Sequence, residues 1–400
     1  MTPTFTVRSR PPFRAEHVGS LIRPATLYQM RKDNCKCSPS ELKAIEDESV
    51  KAVVRLQEEV GLRTVTDGEQ RRGMFFEGVF DKLEGMITIS NRPISTFKPY
   101  IPHIAIMYAQ GIQESETIFC NGKIKRTKPF YVEEFKYLKS ITAPENVKYL
   151  KVTMCPPTWF HQRHGSDLTY DTSVYRNDDA YFNDLAIAYR QEIDELYRLG
   201  CRHIQFDDPT LAYFCDETMI VGMENAGVNH EALLDTYIRA HNLVAHGRPD
   251  DMTFSVHMCR GNYRGFSFSQ GGYERISHKV FNSLDVDVLY LEYDNERAGD
   301  FSPLKYLPLN KIAVLGLVTT KNPKLETVEE LKARVNQAVG VLVEGSPKRS
   351  REVALNQLCI SPQCGFASTW EGNPITEEDQ RKKLEVLVEA AKQIWPAEMH

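Results

Sequence analysis

The chain has 400 residues, of which 42% are hydrophobic and 26% are charged, and its formal net charge is −5 at pH 7. This length allows a large buried core, and the slightly acidic balance excludes a general attraction to nucleic acid. The sequence has no apolar run long enough to span a membrane and no apolar signal core near its start, and its nine cysteines lack the dense spacing of a disulfide scaffold, so we expect a cytoplasmic protein.

Short apolar or β-branched runs alternate with longer amphipathic stretches, a pattern that predicts repeated strand and crossover-helix units. It predicts strands at 15–20, 63–69, 148–155, 203–208, 253–259, 288–293, 311–318 and 358–364. It predicts helices at 40–60, 179–199, 230–246, 271–283, 325–344 and 375–394. Eight parallel strands with outer helices indicate an α/β fold, the TIM (β/α)8 barrel. The alternative, an open doubly wound sheet, predicts a Gly-X-Gly-X-X-Gly turn after the first strand, and the sequence lacks one.

The segment from about 75 to 147 is longer than one crossover helix, which predicts a long insertion after the second strand. Asn121 and Gly122 lie between β-like runs and predict a hairpin turn there. Its basic residues form either a solvated face or a contact for an acidic substrate tail, and they are Lys123, Lys125, Arg126 and Lys128. The sequence shows no internal repeat and no dividing linker, so we expect residues 1–400 to form a single domain.

Metal-binding side chains stand at the ends of three apolar runs far apart in the chain. His257 and Cys259 are two residues apart in a predicted strand and therefore point to the same face, while Glu292 and Cys364 end other runs. Two thiolates, an imidazole and a carboxylate are ligand types of tetrahedral zinc. Because these ligands must converge through the fold rather than through a local knuckle, the pattern favours a catalytic zinc site over a structural one.

Five segments together resemble the catalytic barrel of cobalamin-independent methionine synthase. The segments, which appear at predicted strand ends, are 16–24 (EHVGSLIRP), 66–69 (TDGE), 205–209 (QFDDP), 257–259 (HMC) and 362–365 (PQCG). The resemblance extends from about 14 to 396. It is closest to the short, single-barrel members of a superfamily that also contains epoxyalkane coenzyme M transferases and uroporphyrinogen decarboxylases.

The resemblance implies a zinc-dependent methyltransferase that converts homocysteine to methionine without cobalamin, with methyl groups from 5-methyltetrahydrofolate in its polyglutamate form. It implies that Zn2+ is bound by His257, Cys259, Glu292 and Cys364. A zinc-bound thiol is a reactive thiolate near pH 7, which is the chemistry that such a transfer needs.

The resemblance also assigns roles to substrate-binding residues. Glu69 and Asp207 match the carboxylates that hold the amine of homocysteine, and Ser20 matches the turn that holds its carboxylate. Trp159 is a candidate for stacking on a flat donor. Lys321 stands near the position where the family has a histidine that acts as an acid on the leaving methyl carrier. Lys321 and Asp207 are the candidate catalytic residues.

Plainer interpretations of the same residues remain open. Glu69 can pair with a following arginine, Arg71 or Arg72, and Asp207 and Asp208 can cap the helical segment that starts at Pro209.

Two other functions are compatible with the same sequence. One is alkyl transfer to another thiol or from a non-folate donor, as in coenzyme M transferases, and the other is a non-catalytic zinc-stabilised barrel that binds a partner. We expect small-molecule substrates and no nucleic-acid or membrane partner. The sequence is also compatible with a homo-oligomer.

Overall fold

Two separate β-sheets occur in the computed structural model, which describes residues 8–32 and 38–398. Their strands are β1 (Glu84–Pro93), β2 (Glu114–Lys125), β3 (Lys151–Met154), β4 (His203–Asp208), β5 (Thr253–Met258), β6 (Val288–Glu292), β7 (Ile312–Val318) and β8 (Leu358–Pro362). β1 pairs with β2 antiparallel, and β3 to β8 form a parallel sheet in which each strand pairs with the next in the chain. The parallel strands are buried almost throughout, as expected for strands covered on both faces.

The first two predicted strands close this sheet into a barrel, although they are too irregular to count as full strands. Ala15 forms a parallel bridge to Ile360 in β8, and Val65 forms one to Leu150, just before β3. The Thr66 hydroxyl donates to Gly19 O at 2.7 Å, which joins the two segments to each other. The predicted TIM-type barrel is therefore confirmed, with six regular strands and two extended segments.

The predicted long helices are all present, with ends within three residues of the predicted ones. The α-helices are α1 (Ala25–Lys32), α2 (Pro39–Glu59), α3 (Pro102–Ala109), α4 (Val132–Ser140), α5 (Trp159–His164), α6 (Ser166–Thr169), α7 (Asp178–Leu199), α8 (Pro209–Ala212), α9 (Glu217–Asn225), α10 (His230–Ala245), α11 (Glu274–Ser283), α12 (Val328–Glu344), α13 (Arg351–Asn356) and α14 (Glu377–Ile394). Local signals set the ends of α7: the Asn177 side chain accepts from Ala180 N, and Gly200 ends the helix at φ +108°. In residues 8–32 and 38–398, no helix has both the length and the apolar composition needed to cross a bilayer.

The insertion contains β1, α3, β2 and α4, and its hairpin differs from the predicted one. Asn121 and Gly122 lie inside β2 rather than at its turn, so that prediction is wrong. They fall where the β1–β2 register shifts. Gly85 of β1 approaches the β2 backbone so closely there that a Cβ on it would lie 2.6 Å from Lys123 O. The Asn-Gly signal therefore marks a β-bulge, while α3 connects the two strands.

Three of the four basic residues in this region pair with acids of the same chain. Lys123 lies 3.4 Å from Asp184, and Lys125 lies 3.7 Å from Glu84. Arg126 contacts Glu192 of α7, and Glu192 also accepts hydrogen bonds from Phe130 N and Tyr131 N. The Lys123 and Arg126 contacts fasten the insertion to α7 of the barrel wall, whereas the Lys125 pair lies within the hairpin.

A buried ion pair lies at the centre of the barrel closure. Lys151 of β3 and Glu16 of the first extended segment are 3.5 Å apart, and both side chains are 0% exposed. Glu16 also accepts from the Thr64 hydroxyl at 2.5 Å and from Tyr290 of β6 at 3.0 Å. Burial lowers the pKa of Lys151 to about 8, against the stabilising charge of Glu16. One carboxylate thus connects four of the eight barrel segments.

We predict that Lys151→Met lowers the free energy of unfolding by about 3 kcal/mol or more, because it leaves the Glu16 charge buried without its partner. Lys279→Met, which breaks a partly exposed pair with Glu231, serves as the control and should cost about 1 kcal/mol or less. Urea unfolding of both variants measures the difference. Equal losses would show that the Lys151–Glu16 pair does not support closure of the barrel.

Candidate metal centre and substrate cavity

The C-terminal ends of the barrel strands bring the predicted site residues to one rim. The register aligns Asp207 at the end of β4 with His257 in β5, and β6 ends at Glu292. Cys364 follows β8 by two residues. Parallel strands all end at the same rim of a barrel, so residues separated by more than 100 positions in sequence meet there.

The four predicted metal ligands form one buried cluster. The ligand atoms of His257, Cys259, Glu292 and Cys364 all lie within 4.8 Å of one another. The two sulfur atoms are 3.6 Å apart, and His257 Nε2 is 3.9 Å from Glu292 Oε1. Tetrahedral zinc with bonds of about 2.0–2.3 Å separates its ligand atoms by about 3.3–3.8 Å. The cluster therefore fits a zinc ion once its longest ligand–ligand distance shortens by about 1 Å.

Asp207 sets the orientation of the His257 ring. His257 Nδ1 donates to Asp207 Oδ1 at 2.6 Å, which directs Nε2 towards the cluster, where it lies 3.0 Å from Gln363 O. Burial opposes a charge on this ring, yet the Asp207 carboxylate raises the pKa of His257 to about 10. A carboxylate that holds one ring nitrogen while the other faces the site is the usual arrangement around a metal-binding histidine.

Backbone groups and cations also contact the anionic ligands. Glu292 Oε1 accepts from Arg260 N at 2.7 Å, and Arg297 lies 3.4 Å from Oε2. Gly261 N donates to Cys259 Sγ at 3.3 Å. The hydrogen bond between the two thiols and burial raise the pKa of Cys259, while that same bond and the charge of His257 lower the pKa of Cys364 against the effect of burial. The environment thus favours the thiolate form of Cys364 over that of Cys259.

Glu69 has one carboxylate oxygen with no hydrogen-bond partner. The side chain is 2% exposed; Oε1 accepts from the Thr153 hydroxyl at 2.7 Å and lies 3.5 Å from Arg72, but Oε2 has no partner. Burial and the nearby charge of Asp207 raise the pKa of Glu69, against the opposing charge of Arg72. Glu69 also has a φ of +56°, which is rare for a residue with a side chain. The pairing with Arg72 is thus present, and it leaves an acceptor free.

Ser20 lies directly against the loop that carries Cys364. A Cβ added to Gly365 would lie 1.9 Å from the Ser20 hydroxyl oxygen, so only glycine fits at this position. The backbone carbonyl of Ser20 accepts from Phe366 N at 3.0 Å. Glu69 is close by, since its Oε1 would lie 3.6 Å from a Cβ on Gly19.

A cavity of about 450 Å³ opens on the metal cluster. Asp207 and Cys259 line it from the barrel side, and His103 and Thr117 line it from the insertion. Trp159 also lines the cavity, where its ring stacks on His103 with centroids 4.9 Å apart and planes 19° apart. Ser20 and Glu69 are buried and do not line it.

Lys321 does not line this cavity, and its ammonium is held by a neighbouring loop. It donates to Gly261 O at 3.0 Å, to Asn262 Oδ1 at 3.2 Å and to Phe266 O at 3.4 Å. Lys321 therefore holds the loop that follows β5. Asp208 caps α8, because its Oδ1 accepts from Thr210 N at 2.6 Å.

Several residues of the site were not predicted from the sequence. Thr153 contacts Glu69, and His103, Arg163 and Tyr213 line the cavity. Thr153 is at a predicted strand end and could have been found by that signal. The residues on the insertion and on α5 have no comparable signal, because only long-range packing brings them to the rim.

The sequence matches a protein family over nearly its whole length. The family described as "Cobalamin-independent synthase, Catalytic domain" matches residues 17–393. The uncharacterized protein YxjG of Bacillus subtilis is 34% identical over 392 residues, which cover 97% of this chain and 96% of that protein. A 5-methyltetrahydropteroyltriglutamate-homocysteine methyltransferase of Thermosynechococcus vestitus is 24% identical over 391 residues, which cover 96% of this chain but only 43% of that protein.

Among solved structures, a Listeria monocytogenes protein provisionally named as a vitamin-B12-independent methionine synthase matches with a TM-score of 0.72 and 30% identity. The match covers 97% of this chain and 99% of that one. The family match spans nearly the whole chain, and the Listeria structure has the same barrel. The chain therefore belongs to the family of cobalamin-independent synthase catalytic domains.

Proposed function

We propose that this protein is a zinc-dependent methyltransferase that methylates the thiol of homocysteine to give methionine. The observation that carries the proposal is the buried cluster of His257, Cys259, Glu292 and Cys364, one member of which, Cys259, opens on a cavity. A structural zinc site has no need of such an opening, whereas a catalytic site needs room for a substrate. This favours an enzyme over a zinc-stabilised binding protein.

Bound zinc would supply a thiol acceptor in its reactive thiolate form near neutral pH. The residues of the chain prepare this chemistry. Asp207 holds the His257 ring, and Arg260 N and Arg297 hold the Glu292 carboxylate. Burial of all four ligand side chains excludes water, which strengthens electrostatic interactions at the cluster.

The groups beside the cluster favour an amino-acid thiol. The free Oε2 of Glu69 and the carboxylate of Asp207 can accept charge-assisted hydrogen bonds from an ammonium group. The Ser20 hydroxyl lies against Gly365, next to Cys364, and we assign it the carboxylate of the acceptor because it matches the family's carboxylate-binding turn. A thiol without an amine, such as the acceptor of a coenzyme M transferase, would leave the Glu69 acceptor unsatisfied.

Two donors fit the proposed reaction. The name of the Thermosynechococcus relative favours 5-methyltetrahydrofolate with a glutamate tail. A non-folate donor is the second candidate, and the placement of Lys321 favours it, since the lysine that stands near the family's acid lies outside the cavity.

Zinc-edge X-ray absorption with and without homocysteine tests the acceptor. We expect the number of sulfur ligands to rise from two to three as a nitrogen or oxygen ligand leaves. An unchanged spectrum at saturating homocysteine would refute homocysteine as the acceptor.

Cys364→Ser should lose most of the bound zinc and lower methyl transfer by at least about 100-fold, since even loss of a residue that only supports a ligand costs about 10- to 100-fold. Cys201→Ser, at another buried cysteine outside the cluster, is the control and should keep its zinc. Metal analysis and circular dichroism of both proteins measure zinc content and folding. Unfolding of the wild type on chelation, with Cys364→Ser likewise unfolded, would instead indicate a structural zinc.

Glu69→Gln should weaken homocysteine binding by about 10- to 100-fold, because a hydrogen bond to a charged group contributes about 1.5–3 kcal/mol. Zinc content should not change, since Glu69 is outside the metal cluster. Glu58→Gln on the exposed side of α2 is the matched control. Binding is measured by titration calorimetry, and a parallel fall in zinc content and homocysteine affinity would contradict the assigned role.

A further inference from the structure

The lining of the cavity above the cluster carries more carboxylates than basic groups, and three of these carboxylates are exposed to solvent. Among its described lining residues, Glu77, Asp81, Glu116 and Asp207 carry carboxylates, whereas Arg163 carries the one permanent positive charge. No lysine of the described residues lines it. Because like charges repel at short range, this surface disfavours a donor with several carboxylates.

The same cavity is also rich in aromatic rings. Phe76, Trp159, Tyr213 and Phe268 line it, and Trp159 stacks on Phe76 with ring centroids 5.7 Å apart. Aromatic faces attract organic cations, and methylated onium groups in particular are bound by aromatic cages. Rings and carboxylates around one cavity therefore favour a positively charged methyl group.

Arg163 adds a place for one anionic group. Its side chain is 5% exposed, its Nε has no hydrogen-bond partner, and no described carboxylate forms an ion pair with it. The guanidinium instead lies between 5.2 and 5.7 Å from the ring centroids of Phe97, Trp159 and Phe160. A buried guanidinium without a carboxylate leaves a strong binding position for one.

Neither Lys321 nor His103 gives the cavity a charged acid that could protonate a leaving group. Lys321 does not line the cavity itself, and its ammonium is held behind the lining residues Gly261 and Asn262, to whose oxygen atoms it donates. His103 does line the cavity, but burial lowers its pKa well below the usual value, so its ring is neutral near pH 7. A folate amine must gain a proton when it loses its methyl group, whereas an onium compound leaves as a neutral molecule.

We propose that the cavity binds a methyl donor that is a small onium zwitterion, with a sulfonium or quaternary ammonium group and one carboxylate. The inference rests on the proposed transfer to a thiol. The thiolate sulfur attacks the methyl carbon, the bond from that carbon to the onium atom breaks, and its electron pair stays on the leaving group, which departs neutral at that atom. The thiol proton goes to solvent, so the step needs no acid, oxidant or reductant.

Binding is tested with dimethylsulfonioacetate and with 3-methylbutanoate, which has the same shape and carboxylate but no positive charge. Quenching of tryptophan fluorescence is followed in the zinc-loaded and the zinc-depleted protein, with Trp159→Phe to assign the signal. We expect the sulfonium compound to bind about tenfold more tightly or better, as desolvated cation–π contacts allow. Equal affinity for the two compounds overturns the proposal.

Two variants test the charges of the cavity. Glu116→Gln should weaken sulfonium binding, while Glu114→Gln, on the same strand but outside the lining, should not. Arg163→Met should weaken the binding of dimethylsulfonioacetate but not that of trimethylsulfonium, which has no carboxylate. Equal effects of the two glutamate variants would contradict the proposal, and this test does not depend on the folding of the Arg163 variant.

Methyl transfer to homocysteine is then compared for dimethylsulfonioacetate and 5-methyltetrahydrofolate triglutamate. Methionine from the sulfonium compound, at a rate at least about tenfold above that from the folate, supports the proposal, and the reverse order overturns it. Failure of the proposed function is distinguishable, because it appears as an unchanged zinc-edge spectrum with homocysteine while sulfonium binding to the protein persists.

Discussion

Negative charge buried at one rim of the barrel is the constraint on which the rest of the structure depends. Two thiols, Glu292 and Asp207 meet there with almost no exposure to water. Burying several anionic groups together is very unfavourable unless a cation binds among them. Each group loses its hydration, and their mutual repulsion is weakly screened away from water. The backbone donors Arg260 N and Gly261 N and the Arg297 guanidinium offset part of this charge, and a divalent cation can offset most of the remainder.

The barrel can hold such an arrangement because its interior is fixed from the opposite end. Lys151 and Glu16 connect four of the eight segments, so the strand ends that carry the site residues have little freedom to move apart. This rigidity lets the cluster remain assembled against its own repulsion. Zinc is therefore expected to find ligands already near their final positions, unlike in small domains that fold only around the metal.

The parts of this structure that follow from local pattern could be predicted, and those that depend on distant packing could not. The two-residue spacing of His257 and Cys259 and the strand-end position of Glu292 identified the cluster, and alternating patterns identified the barrel. The Asn121–Gly122 pair was misread because the same dipeptide suits a turn and a bulge, and only the crossing of β1 at Gly85 decides between them. The contacts of Lys321 depend on how the loop after β5 folds back, which no local signal reveals.

The division of the site between barrel and insertion separates the two substrates of the proposed reaction. The groups suited to an amino acid, Ser20 and Glu69, belong to the barrel segments that precede the insertion, and neither lines the cavity. His103, by contrast, reaches the cavity from the insertion, where it stacks on Trp159. Asp207 and Cys259 lie where the two regions meet, which is where the methyl group would pass in the proposed reaction. A change in the insertion can therefore alter the donor without disturbing the metal or the acceptor, so that shared zinc ligands in this family do not by themselves determine a shared donor.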